Sequence, residues 1–153
     1  KKLASIKKTK GSVVNYKPGS LRKSKDIIGV NCDVLITAAI PDLIKLNDIG
    51  RIKARLIVQG SNIPMTSEVE EVLHKKKVLV IPDFVANGGG VISSYVETIN
   101  GSVEEMFKIV KNKIVRNTEI VLNEAKKKGI KPRDAAMKIA RKRILDKCKI
   151  CSI

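Results

Sequence analysis

Aromatic side chains are scarce: two Tyr, two Phe and no Trp in 153 residues. Single-stranded nucleic acid is held largely by stacking bases on aromatic rings, and this chain has little to offer for that. Histidine is rarer still, with His74 alone, and cysteine is limited to Cys32, Cys148 and Cys151. Three cysteines do not make a disulfide scaffold, and the lone C-K-I-C at Cys148 to Cys151 lacks the second pair a zinc site takes, so no metal is expected. No apolar run approaches the ~20 residues of a membrane-spanning helix, which argues against a membrane partner. The start, Lys1-Lys2-Leu3-Ala4, is not that of a signal peptide. With so few cysteines, that points to a reducing cytoplasm. An initiator Met is also missing, so the chain is read as a piece of something longer.

What is present suits one domain with a sizeable core: 43% of the residues are hydrophobic. The formal net charge is +16. Such a charge fits nucleic acid or an acidic surface as partner, or simply a solvated face on which Lys stems cover apolar atoms. Basic residues are spread through Lys7-Lys8, Lys23 to Lys25, Lys75 to Lys77, Lys126 to Lys128 and Arg141 to Arg143. That spread, without a binding motif, favours the solvated face, and no nucleic-acid partner is expected. A composition rich in Lys and Ile also suits a thermophile.

Along the chain, Leu3 and Ile6 suggest a helix stopped at Gly11, Val13-Val14 an extended piece, Lys17-Pro18-Gly19-Ser20 a turn, and Ser24 to Ile28 a helical turn. A rhythm follows. Asp33-Val34-Leu35-Ile36, Arg55-Leu56-Ile57-Val58 and Lys77-Val78-Leu79-Val80 are short aliphatic runs without alternation, as expected of strands covered on both faces. Helical patterns are expected between them, one opened by a Ser67-x-x-Glu70 capping box. Strand and helix in alternation predict an α/β fold with right-handed crossovers and a parallel sheet. Thr37-Ala38-Ala39, Gly60-Ser61-Asn62 and Asn87-Gly88-Gly89 each follow a strand, at the edge where open α/β sheets bind ligands. Beyond them a helix opens with a Ser102/Glu105 box and stops at Gly129, and another starts at Pro132. Met106, Ile109, Val110, Ile114, Val115, Ile120, Val121 and Ala125 form one face of the first; Ala135, Ala136, Ile139, Ala140, Ile144 and Leu145 form one face of the second.

The stretch from Ile81 to Glu97, I-P-D-F-V-A-N-G-G-G-V-I-S-S-Y-V-E, organises the rest. Gly88, Gly89 and Gly90 let another molecule approach the backbone, or merely ease a tight turn. Asn87 is a good N-cap for the helix that follows, whose N-terminus would favour an anion. Val91 and Ser94, three apart, share a helix face.

Four ordered motifs then carry a resemblance: C-D-V-L-I-T-A-A-I at Cys32 to Ile40, R-I-K-A-R-L-I-V-Q-G-S-N-I-P-M-T at Arg51 to Thr66, V-L-V-I-P-D-F-V-A-N-G-G-G-V-I-S-S-Y-V-E at Val78 to Glu97, and P-R-D-A-A-M-K-I-A at Pro132 to Ala140. The chain resembles the C-terminal part of the glutamate/leucine/phenylalanine/valine dehydrogenases, most of all the glutamate enzymes. The resemblance implies the second half of a doubly wound, Rossmann-like domain over residues 1–101, with long C-terminal helices over 102–153 packing on it. It implies oxidative deamination of L-glutamate to 2-oxoglutarate and ammonia, with hydride passed to NAD or NADP. It places Ala38 and Ala39 beside the nicotinamide ribose, Asn62 and Asn87 in hydrogen bonds to the nicotinamide half, Val91 on the substrate's aliphatic part, and Ser94 on its side-chain carboxylate. Without the resemblance, Ser94 reads as a helix serine bonded to its own backbone.

No G-x-G-x-x-G follows a strand here, so the pyrophosphate loop and the catalytic Lys and Asp of the family's substrate domain are expected upstream. The chain then supplies one wall of an active site, in what is expected to be a homo-oligomer. Its truncated sheet would expose a strand edge. Departures from the family pattern are Gln59 for Glu, Thr37 for Pro, Ser61 and Gly88 for Ala, and Met65 for Thr; Gln59 removes a charge expected beside the cofactor. The rival readings are a dehydrogenase for apolar amino acids, a basic nucleic-acid-binding module, and a non-catalytic domain kept for assembly.

Overall fold

In the computed structural model the described residues are 1–17 and 19–148. The turn expected around Pro18 and the pair completed by Cys151 therefore lie outside the described residues. Cys32 is a free, half-buried thiol.

Among the described residues three short strands form one parallel sheet in the order β1 (Val34–Thr37), β2 (Leu56–Gln59), β3 (Leu79–Ile81). Thr37 lies opposite Gln59 and Val58 opposite Ile81, so all three strands end at the same edge. Six α-helices among the described residues accompany them: α1 (Lys2–Lys10), α2 (Ser67–Lys75), α3 (Asp83–Ala86), α4 (Gly89–Thr98), α5 (Val103–Lys128) and α6 (Pro132–Lys147). Between β1 and β2 the chain makes only the 3-10 helix Leu46–Arg51, not the α-helix expected there. Val13–Asn15 is likewise a 3-10 turn instead of an extended piece.

Two apolar clusters sandwich the sheet. On one face Leu35, Ile57 and Val80 pack with Ile28, Ile44, Ile49, Val69 and Leu73, which brings in α2 and the 3-10 turns. On the other, Ile81 and Val85 meet Val121, Ala125, Ala135 and Ala136, with Leu56, Val58 and Ile139 alongside. Small residues on α6 let it lie close to α5 and to β3. That second cover stops short of β1. Val34 is 45% and Ile36 64% exposed, whereas Leu35 and Thr37 on the opposite face are buried. The expectation of strands covered on both faces thus fails at β1, whose outer edge pairs with no strand among the described residues.

The helix ends follow local chemistry, with a correction at α2. Ser102 Oγ accepts from Glu105 N while the Glu105 carboxylate accepts from Ser102 N, the expected capping box of α5, and Gly129 ends the helix at φ 63°. The N-cap of α2, however, is Thr66, whose hydroxyl accepts from Val69 N. Ser67 lies inside the helix, and Glu70 turns away from the cap into the protein interior.

Candidate functional site

The loops leaving the three strands are tied to one another at the C-terminal rim. Ser61 N donates to Thr37 O at 2.6 Å, Asp42 N to Ile63 O at 2.9 Å and Ile44 N to Pro64 O at 2.9 Å. Gly60 makes this approach possible: a Cβ there would stand 3.1 Å from Thr37 O and 3.3 Å from the Ala38 Cβ. Ala38 and Ala39 are exposed beside it. Asn62, exposed on the β2 loop, accepts a 2.6 Å hydrogen bond through Oδ1 from Asn87 Nδ2. Asn87 therefore does not cap α4. The N-cap is Gly88, without a side-chain bond, and Asn87 spends its amide across the rim.

Helix α4 begins here. Gly88 and Gly89 face α5, where an added Cβ would meet Ile114 Cδ1 at 3.6 Å and Val110 Cγ1 at 3.3 Å. Two of the three glycines thus serve helix packing, and Gly90 alone has open space before it. Val91 is 79% exposed. Ser94 is exposed too, and its hydroxyl donates to Gly90 O at 3.2 Å, the back-bond of a serine within a helix. The hydroxyl stays at the surface.

Behind the rim lies a buried ionic cluster that the sequence reading did not assemble. Arg133, at the start of α6, donates from Nε to Glu70 Oε2 at 2.8 Å, and from Nη2 to Gln59 Oε1 at 2.8 Å and Asp83 Oδ1 at 3.0 Å. Gln59 is fully buried; its Nε2 donates to Glu70 Oε1 at 2.7 Å and its Oε1 accepts from Asp83 N at 3.0 Å. Gln59 therefore sits behind the rim and not beside a ligand surface. Its neutrality has a local reason, since one guanidinium already faces two carboxylates. Burial raises the Asp83 carboxyl, but the Ile63 and Phe84 N–H groups and then Arg133 outweigh it, and it lies below the ordinary Asp value. Burial opposes the charge on Arg133, yet Glu70 and Asp83 more than compensate and hold it above the usual arginine value. The guanidinium also lies 5.5 Å over the Phe84 ring. A signal was available: Glu70 falls beside Val69 and Leu73 on the buried side of α2 and needs a cationic partner there.

Thr37 ends β1 with a buried hydroxyl that has no hydrogen-bond partner among the described residues. Desolvating a lone hydroxyl costs about 1–3 kcal/mol, and Val has the same shape without that cost. Thr37→Val is expected to match or exceed the parent in urea-melt midpoint. A clear drop would mean that the hydroxyl has a partner in solution.

A parallel sheet whose loops converge at one rim, followed by helices that cover β3 and part of the other face, defines a Rossmann-type α/β fold. The profile of the glutamate/leucine/phenylalanine/valine dehydrogenases matches residues 1–150, and the chain belongs to that family. It is 38% identical over 156 aligned positions to the glutamate dehydrogenase of Aeropyrum pernix, an alignment that covers 95% of this chain and 37% of that protein. It is 39% identical over 99 positions to the NADP-specific glutamate dehydrogenase of Saccharolobus shibatae, covering 65% of this chain and 23% of the relative. Among solved structures, the hetero-hexameric glutamate dehydrogenase from Thermus thermophilus superposes with a TM-score of 0.83 at 23% identity, over 99% of this chain and 37% of that one; at such identity this likeness concerns the fold. The L-tryptophan dehydrogenase from Nostoc punctiforme gives 0.76 at 26% identity, over 95% and 41%. The chain thus spans well under half the length of these relatives.

Proposed function

We propose that the chain forms the nicotinamide-side wall of a glutamate dehydrogenase, taking L-glutamate to 2-oxoglutarate and ammonia with NAD or NADP as hydride acceptor. The observation that carries this reading is the Asn62–Asn87 hydrogen bond at the strand-end rim, directly before the exposed Val91 and Ser94 of α4. In it, Asn62 and Asn87 bond the nicotinamide half of the cofactor, Ala38 and Ala39 lie along the adjoining ribose, Val91 touches the substrate's methylenes, and Ser94 donates to its side-chain carboxylate.

The cofactor, when bound, supplies the hydride acceptor. These residues supply position: they hold the substrate's α-carbon against the nicotinamide, and such orientation lowers a barrier by roughly several kcal/mol. Proton transfer belongs to a Lys and an Asp of a substrate domain outside this chain. Residues 1–101 are read as the second half of the dinucleotide-binding domain and 102–153 as helices packed upon it, a division supported by the core that α5 and α6 share with β3. The expected setting is a homo-oligomer in the cytoplasm.

The test is a chimera in which the upstream part of the Aeropyrum pernix relative is joined to this chain. Glutamate-dependent reduction of NAD or NADP, followed at 340 nm, is the expected result. A folded chimera that binds the nucleotide but never turns over glutamate would reject the reading.

A further inference from the structure

We propose that Arg133 is a positioning residue for the Asn62–Asn87 pair, acting through Asp83. The inference builds on the reading above, in which that pair meets the nicotinamide. Asp83 holds both partners at once. Its Oδ2 accepts from Ile63 N at 2.9 Å, which fixes the residue after Asn62, and its backbone O accepts from Asn87 N at 2.7 Å. Its other carboxylate oxygen is spent on Arg133 Nη2 at 3.0 Å.

Ile63 needs such a grip. Its φ is +46°, a left-handed conformation that a β-branched side chain resists. Its N–H is held by Asp83 and its carbonyl by Asp42 N, so the turn carrying Asn62 is clamped on both sides. Arg133 comes from α6, 50 residues from Asp83 in sequence, and Glu70 and Gln59 hold its own fork in place. A guanidinium suits the post because its planar fork bonds several oxygens at once, which a Lys ammonium does not do in fixed geometry. The line of contact therefore runs from α6 through Arg133 to Asp83, then to Ile63 and Asn62 on one side and Asn87 on the other.

The experiment uses the 153-residue chain, ¹⁵N-labelled, with two variants. Asp83→Asn leaves a single acceptor oxygen, so the side chain serves Arg133 or Ile63 but not both. Arg133→Lys keeps the charge and loses the fork. In both, Ile63 N–H exchange is expected to rise about tenfold or more, the scale of one bond to a charged acceptor. The side-chain amide signals of Asn62 and Asn87 should move with it, while the Leu56 and Leu79 amides of the sheet, bonded to Asp33 O and Arg55 O, keep their protection. A merely structural role would raise exchange throughout, and that outcome, or no change at Ile63, overturns the proposal. NADH titrated into the parent chain tests the underlying reading separately. If NADH leaves the Asn62 and Asn87 signals unmoved, the cofactor assignment fails while the mechanical link is judged by exchange alone.

Discussion

Arg133→Met is expected to cost about 3–5 kcal/mol of folding stability, the usual penalty for removing one partner from a buried ion pair. The reason lies in what is left behind. Glu70, 3% exposed, and Asp83, 7% exposed, would lose the cation that bonds to both. Against a total of roughly 5–15 kcal/mol for a domain, the loss is large enough to show as a marked drop in the urea midpoint. Its pH dependence has a definite sign. In the parent chain the Asp83 carboxyl lies below its ordinary value, so its stabilisation is present above about pH 4 and is lost as pH falls through the depressed value. Without the guanidinium, burial is less opposed and the carboxyl moves up, so acid neutralises a carboxylate that has become a liability. The deficit of the variant should therefore shrink between pH 7 and pH 4.5. Urea melts at both values measure it, and a deficit that stays constant would show that Arg133 acts by packing and not by charge.

Ser94→Val, in the chimera described above, is expected to lower kcat/KM for glutamate by roughly 10- to 100-fold, while turnover of leucine is kept or raised. A hydrogen bond to a charged acceptor is worth about 1.5–3 kcal/mol, and each 1.4 kcal/mol is a factor of ten. The hydroxyl is available for it: Ser94 is exposed, and its present bond to Gly90 O is a long one at 3.2 Å. Val removes the donor and adds one methyl group, for which the exposed position has room. Unchanged glutamate kinetics would hand the site to an apolar amino acid instead.

The strand rhythm was legible because each run is short, aliphatic and closed by turn residues, and those are local facts. The Ser102 box and the Gly129 stop were legible for the same reason. The Asn87 cap was misread because a side chain that can satisfy a helix end can equally satisfy a neighbouring loop, and Asn62 lies 25 residues away in sequence. The Thr66 and Ser67 confusion is a shift of one position between two competent caps. The Arg133 cluster joins residues 11 to 74 apart, and no periodicity in the sequence records that distance. Bare aliphatic side chains on β1 could not be read either, since Val34 and Ile36 look the same in sequence whether or not a helix covers them.

Asp42 and Ile63 both stand in left-handed backbone, and each belongs to one of the two loops that the bond between them joins. Holding two non-glycine residues there costs about 1–3 kcal/mol apiece, which the surrounding contacts must meet during folding. A molecule that settles on this rim consequently finds loops already frozen, and loses little of its affinity to ordering them. Its association should thus be quick and little changed by temperature-driven loosening of the loops, unlike that of a lid which must first close.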